Sequence, residues 1–177
     1  LRTRCGELYR SGRGLIPRTR SRKNLKASMA VKERVFLDTN VVLDFLCDRV
    51  PFAEFAHAIF GLAEKKEIAL YVSALSFSNI FYILRKSNGH AAAMSALRRL
   101  GLLVKVASVC EKEIERAFQL SVPDFEDAIQ YAAAEAVGEV DVIVSRNPAD
   151  FPKRQIPVVT PEEYFRARAR RIRQGPN

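Results

Sequence analysis

The stretch Val35-Phe36-Leu37-Asp38-Thr39-Asn40 decides how the rest of the chain is read. Three apolar residues, one of them β-branched, run directly into an acid. A short apolar run of this kind reads as a strand buried on both faces. Asn40 then fits the N-cap of a helix over Val41–Cys47. A buried strand that passes straight into a helix is the opening unit of an α/β fold. In parallel sheets ligands bind at the carboxyl ends of strands, near a topological switch point, so an acid at that position invites a functional reading.

Working outward, Pro51 and Glu54 suit a second helix start, and Phe52, Phe55, Ala56, Ile59 and Ala63 recur at helical spacing. Ile68–Val72 is a second strand. Ala74–Arg85 is apolar enough that a helix there is expected to be covered on more than one side. Asn88-Gly89 breaks it, and His90–Leu100 resumes as a helix with Gly101 as its C-cap. Leu102–Ala107 is a third strand and Glu111–Leu120 a helix. Ser121-Val122-Pro123-Asp124 resembles a capping box opening a helix that runs to Val137 and stops at Gly138. Val140–Val144 is a fourth strand, closed by Ser145-Arg146-Asn147, and Ile156–Val159 a fifth. Thr160 to Glu163 caps a last helix that fades into an Arg-rich tail. This alternation predicts an α/β protein whose parallel sheet is covered on both faces, with right-handed crossovers.

The 177 residues carry 29 Lys+Arg against 20 Asp+Glu, a net charge of +9. That excess is confined to the two ends. Residues 1–28 hold nine basic residues and one acid, and residues 166–177 hold five Arg and no acid. The body between them is slightly acidic, so the basic isoelectric point says little about its surface. The expected organisation is a basic leader over 1–28, native or added, a globular domain over 29–165, and a basic tail over 166–177. The leader is too poor in apolar residues to bury a core. No run reaches the ~20 apolar residues of a membrane span and no secretory apolar region is present, so a cytoplasmic protein is expected. Three scattered Cys and two His argue against a disulfide scaffold and against a thiolate or imidazole metal site.

The chemistry therefore rests on acids. Asp38 ends the first strand. Asp124, Glu126 and Asp127 open the helix before the fourth strand, and Asp150 follows Asn147 by three residues. On a helix Asp124 and Asp127 lie about 60° apart, and Glu126 is expected to face solvent. Clustered carboxylates without His or Cys suit hard cations, Mg²⁺ or Mn²⁺, and the chemistry of metal-assisted phosphodiester hydrolysis. Simpler roles stand beside these: Asp38 and Asp127 complement helix N-termini, Asp124 caps, Asp150 caps a short turn, and Ser145 and Asn147 shape a turn. Asn40 reads as a cap and a partner to the site rather than a ligand. Asn79 reads equally as a buried amide or a ligand, and Cys47 and Cys110 as small core residues.

The segments DTNVVLDFL, SALSFSNIFYIL, DFEDAIQYAAA, DVIVSRNPADF and TPEEYF, in this order, resemble the PIN domain, in the branch close to VapC-type toxin ribonucleases. The resemblance covers roughly residues 33–165. It implies a three-layer α/β/α sandwich with a central, mainly parallel five-stranded sheet. It also implies a Mg²⁺- or Mn²⁺-dependent ribonuclease acting on RNA, homodimerisation, and a small antitoxin partner. Asp38 matches the family's first acid and Asp127 the acid before the fourth strand. Asn79 stands where a Glu is usual, and Ser145-Arg146-Asn147 where Thr-x-Asp is common, with Asp150 or Asp124 as substitutes. Catalysis is thus assigned to Asp38, Asp127 and Asp150, and metal binding to Asp38, Asp127 and Asp124. Asn40, Asn79, Ser145 and Asn147 are assigned to the surroundings or the substrate. The alternative is a PIN-fold binding module weakened in catalysis by the two Asn. An aspartyl-phosphate mechanism at Asp38 is disfavoured because the residue two on is Asn40, not a second acid.

Overall fold

The computed structural model describes residues 32–174; the leader expected over 1–28 lies outside the described residues. Five strands form one sheet, ordered β3-β2-β1-β4-β5, with every neighbouring pair parallel. They are β1 (Glu33–Leu37), β2 (Ile68–Ser73), β3 (Val104–Ala107), β4 (Val142–Val144) and β5 (Val158–Val159). The helices are α1 (Thr39–Leu46), α2 (Ala53–Glu64), α3 (Ala74–Leu103), α4 (Glu111–Phe118), α5 (Phe125–Val137) and α6 (Pro161–Gln174). A 3₁₀ turn spans Pro148–Asp150.

The strands alternate sides residue by residue, as the pleat requires. Val35 and Leu37 of β1, with Val142 and Val144 of β4, pack into a core with α1, α2, α3 and Tyr164 of α6. Phe36 and Ile143, between them, pack into a second core with α4 and α5. A central parallel sheet with two apolar faces demands a helical layer on each, and the three-layer α/β/α sandwich expected from the sequence follows. Phe36 is fully buried, and removing a side chain of that size from water contributes about 1.5–3 kcal/mol.

Several boundaries differ from expectation for identifiable reasons. Asp38, not Asn40, stands at the N-cap of α1, and its carboxylate makes no capping bond because it is engaged elsewhere. The N-cap of α5 is Asp124 itself, whose Oδ1 accepts the Glu126 N–H at 2.7 Å, so the Ser121–Asp124 box does not form. Gly89 (φ 82°) breaks the α3 segment where expected, but the second half runs past Gly101 to Leu103. Gly138 (φ 80°) ends α5 in the left-handed conformation that glycine tolerates best. The first half of α3 is not enclosed, since Tyr82 is largely exposed. Cys47 and Cys110 are exposed rather than in the core. Instead of fading, α6 continues through Gln174. Arg168 bridges Glu33 and Glu67, and Arg171 and the Tyr164 hydroxyl also reach Glu33. These contacts anchor the helix at the amino end of β1, away from the acids.

Candidate functional site

Strand order reverses direction at β1: β2 and β3 lie to one side, β4 and β5 to the other. The crevice between the carboxyl ends of β1 and β4 is therefore the switch point where α/β sheets bind ligands. Asp38 ends β1 and Ser145 follows β4, and the two meet there. The ladder continues into the site, with Asp38 N–H donating to Val144 O at 3.0 Å.

Asp38 is buried. Its Oδ2 accepts from Ser145 Oγ at 2.6 Å, and its Oδ1 from Gln130 Nε2 at 3.1 Å. Burial pushes its carboxyl above the usual range; the Ser145 and Gln130 bonds oppose that rise and the charge of Glu126 adds to it. Ser145 is fully buried, and its Oγ also accepts the Asn147 N–H at 3.0 Å. Asn147 opens the 3₁₀ turn and its carbonyl accepts the Asp150 N–H; its exposed side chain makes no capping bond. Asn40 accepts the Arg146 N–H on its Oδ1 at 3.3 Å. It thus links α1 to the loop after β4.

The opposite wall is the first turn of α5. Asp127 is half-buried, and burial pushes its carboxyl up to about 7, with the charges of Asp38, Asp124, Glu126 and Asp150 adding to the rise. The fold thus brings Asp38, Asp124, Asp127 and Asp150 into one electrostatic neighbourhood. Asn79 lies one turn along α3 from Ser76, whose hydroxyl belongs to the site; Asn79 is itself partly buried.

Four participants escaped the sequence reading. Glu126, expected in solvent, turns inward: its Oε1 lies 3.0 Å from Thr39 Oγ1 and 3.5 Å from Gln130 Nε2. Gln130 is buried and uses both ends of its amide. Its NH₂ bridges Asp38 and Glu126, and its Oε1 accepts the Thr39 N–H at 3.3 Å. Ser76 Oγ lies 2.8 Å from Thr39 Oγ1 and 3.4 Å from Gln130 Oε1. Asp44, on α1, is also buried, and burial raises its carboxyl despite the attraction of Arg146. The signal for the first pair was present: Glu126 and Gln130 are four apart and share a helix face, and a lone Gln interrupts an Ala-rich run.

The donor set consists of carboxylate, hydroxyl and amide oxygens, which suits a hard divalent cation. A cation would also offset the burial and the repulsion that together raise Asp127. Among the described residues no three His, Cys, Asp or Glu side chains close a ready-made cage. Mg²⁺ does not need one, since it commonly takes one or two carboxylates and keeps several waters. The residues present fit such an ion.

Residues 34–149 match the PIN domain family. The chain belongs to that family. Solved structures agree on the fold. The chain is similar to the DNA-bound VapBC complex of Salmonella typhimurium at 16% identity and a TM-score of 0.58, covering 73% of this chain and 98% of the other. A toxin–antitoxin complex from Klebsiella pneumoniae aligns at 21% identity and 0.54, covering 72% and 97%. VapC20 of Mycobacterium tuberculosis, described as a sarcin–ricin-loop-cleaving toxin, aligns at 21% and 0.50, covering 62% and 86%. No curated protein sequence matches the chain significantly.

Proposed function

We propose that this protein is a cytoplasmic, metal-dependent endoribonuclease of the VapC toxin type. The observation that carries the reading is the buried Asp38 at the β1–β4 switch point, hydrogen-bonded to Ser145 after β4 and to Gln130 of the helix that also bears Asp127. Asp38 and Asp127 would hold Mg²⁺ or Mn²⁺, with Asp124 and Asp150 completing the charge around it, through water where they do not reach. When bound, the ion supplies a Lewis acid for the scissile phosphate and lowers the pKa of an attacking water.

The chain's own residues do the rest. Ser145 and Gln130 hold the Asp38 carboxylate in one orientation, so its free lone pairs face a fixed direction. Gln130 and Thr39 hold Glu126 at the edge of the same crevice. Burial and the neighbouring acids raise the Asp127 carboxyl to about 7, so a proton and a cation compete for it near neutral pH. Asp150 stands in the 3₁₀ turn beside Asn147, where it can accept a proton from water. Asn79 and Asn147 offer neutral oxygens or amide donors to the RNA. A small antitoxin is the proposed partner, in line with the complexes to which the chain is similar. A homodimer would cover exposed apolar side chains such as Tyr82 and Leu102.

The test is cleavage of single-stranded and hairpin RNA with Mg²⁺ or Mn²⁺, with and without chelator. Cleavage that stops with EDTA and with Asp38→Asn supports the nuclease. The second reading, a PIN-fold binding module, draws on the neutral Asn79 and Asn147, which stand where acids are usual. RNA binding without cleavage in either metal would select it.

A further inference from the structure

Arg146 lies between two site residues, Ser145 and Asn147, and is held from three sides. Its Nη1 is 3.5 Å from Asp44 Oδ1. Its guanidinium carbon lies 4.6 Å from the centroid of the Phe52 ring. Its backbone N–H donates to Asn40 Oδ1. Asp44 is 1% exposed, and its Oδ2 has no hydrogen-bond partner. An acid kept in that state is costly unless a cation beside it compensates.

A purely structural pair would bury both partners, and this one does not. The Arg146 side chain remains 28% exposed, and a single one of its five N–H donors is engaged by a side chain. The free edge forms the cationic wall of an otherwise mainly apolar cavity of about 320 Å³, lined by Pro51, Phe52, Phe55, Thr160 and Pro161. Glu162, at the same rim, is occupied by Arg166 at 2.6 Å. Volumes of ~300–1,000 Å³ are usual for small-ligand sites, so one nucleotide is the right scale. A guanidinium fork matches a phosphate, and a phenyl face matches a nucleobase. The need for such a cation is electrostatic: the acids around Asp127 repel a polyanion, and a fixed positive charge one residue from Ser145 offsets that repulsion.

We propose that Arg146 is a substrate-binding residue. It takes the phosphate of a nucleotide flanking the cleaved bond, with that nucleotide's base in the Phe52–Phe55 cavity. Asp44 is a positioning residue that fixes the guanidinium. The proposal rests on the nuclease reading for its substrate class, but its own measurement needs neither metal nor cleavage.

Uridine and adenosine 5′-monophosphates are titrated into the full chain in EDTA, by calorimetry and by NMR of the aromatic resonances. Saturable binding that shifts the Phe52 and Phe55 signals is expected. Arg146→Met should weaken it about ten-fold or more, the scale of one charge-assisted hydrogen bond, and Arg146→Lys should weaken it less. Asp44→Asn should weaken it several-fold while the Phe118 resonances, on the opposite face of the sheet, keep their parental positions, which a general loosening of the fold would not allow. Where Arg146→Met strands the buried acid and fails to fold, the double variant Asp44→Asn/Arg146→Met carries no uncompensated charge and replaces it. A folded double variant that binds nucleotide like the parent overturns the proposal. So does a set of variants that weakens an antitoxin peptide and leaves nucleotide binding untouched. Absence of RNA cleavage by the parent, with nucleotide binding lost in the variants, would instead end the nuclease reading alone.

Discussion

Asp38 and Asp127 face one crevice, and the fold treats them in opposite ways. Asp38, on the floor, is buried and braced by one hydrogen bond to each oxygen, from Ser145 and Gln130. Asp127, on the wall, makes no side-chain hydrogen bond among the described residues and is pressed by four other acids. The floor is braced by hydrogen bonds that oppose, without cancelling, the rise that burial imposes on its carboxyl. The wall is strained electrostatically, and a proton or a cation relieves it.

The sharpest way to break the comparison is to neutralise the floor. Asp38→Asn keeps the size and removes the charge that balances a cation. RNA cleavage should fall by at least ~10²–10³, the loss typical for one electrostatic stabiliser, while circular dichroism stays native. Cleavage at the parental rate would refute the nuclease assignment.

The wall should respond to pH. An acid whose pKa is raised on folding, here from 3.8 to about 7, holds its proton more tightly in the folded state. Its contribution to stability is therefore present at low pH and is lost as pH rises through about 7. Melting in EDTA should show Asp127→Asn gaining on the parent between pH 5 and pH 8; a constant gap would contradict the raised pKa. Proton and cation also compete for the same carboxylate. Mn²⁺ affinity of the parent should rise by up to about ten-fold per pH unit below 7 and then level off.

A third test removes the brace that joins the two. Gln130→Ala leaves the Thr39 N–H without its acceptor and takes one donor each from Asp38 and Glu126. Urea denaturation should show a loss of about 1–3 kcal/mol, and a smaller loss would mean that water replaces the amide. The smallest effect is expected at Asn147→Asp. Asn147 serves the turn through its backbone, so stability should change by less than ~0.5 kcal/mol. A marked rise in Mn²⁺ affinity would show that this position reaches the ion.

Much of this was legible in the chain. Val35-Phe36-Leu37 read as a buried strand because an unbroken apolar triplet has no solvent face, and both its faces do pack. Gly89 and Gly138 marked breaks because each adopts a positive φ. Thr160 and Glu163 capped α6 reciprocally, as their three-residue spacing allows. Asp38, Asp124, Asp127 and Asp150 stood out as acids at strand and helix ends. The N-caps of α1 and α5 were misplaced because several adjacent polar residues could each cap, and only the tertiary partners chose among them.

The sequence by itself determined the alternation of strands and helices, the parallel sheet and the acidic character of the site. All of these follow from local periodicity and from side-chain chemistry that needs no partner. Tertiary structure alone decided that Glu126 turns inward, that Gln130 joins two acids, and that Asp44 is buried beside Arg146. Each depends on a partner about a hundred positions away: Glu126 on Thr39 (87), Gln130 on Asp38 (92) and Arg146 on Asp44 (102). The shared helix face of Glu126 and Gln130 is local, but no local pattern names their distant partners. A polar side chain near a crevice takes the orientation that satisfies its hydrogen bonds, and the partners are known only once the distant segments have been packed together.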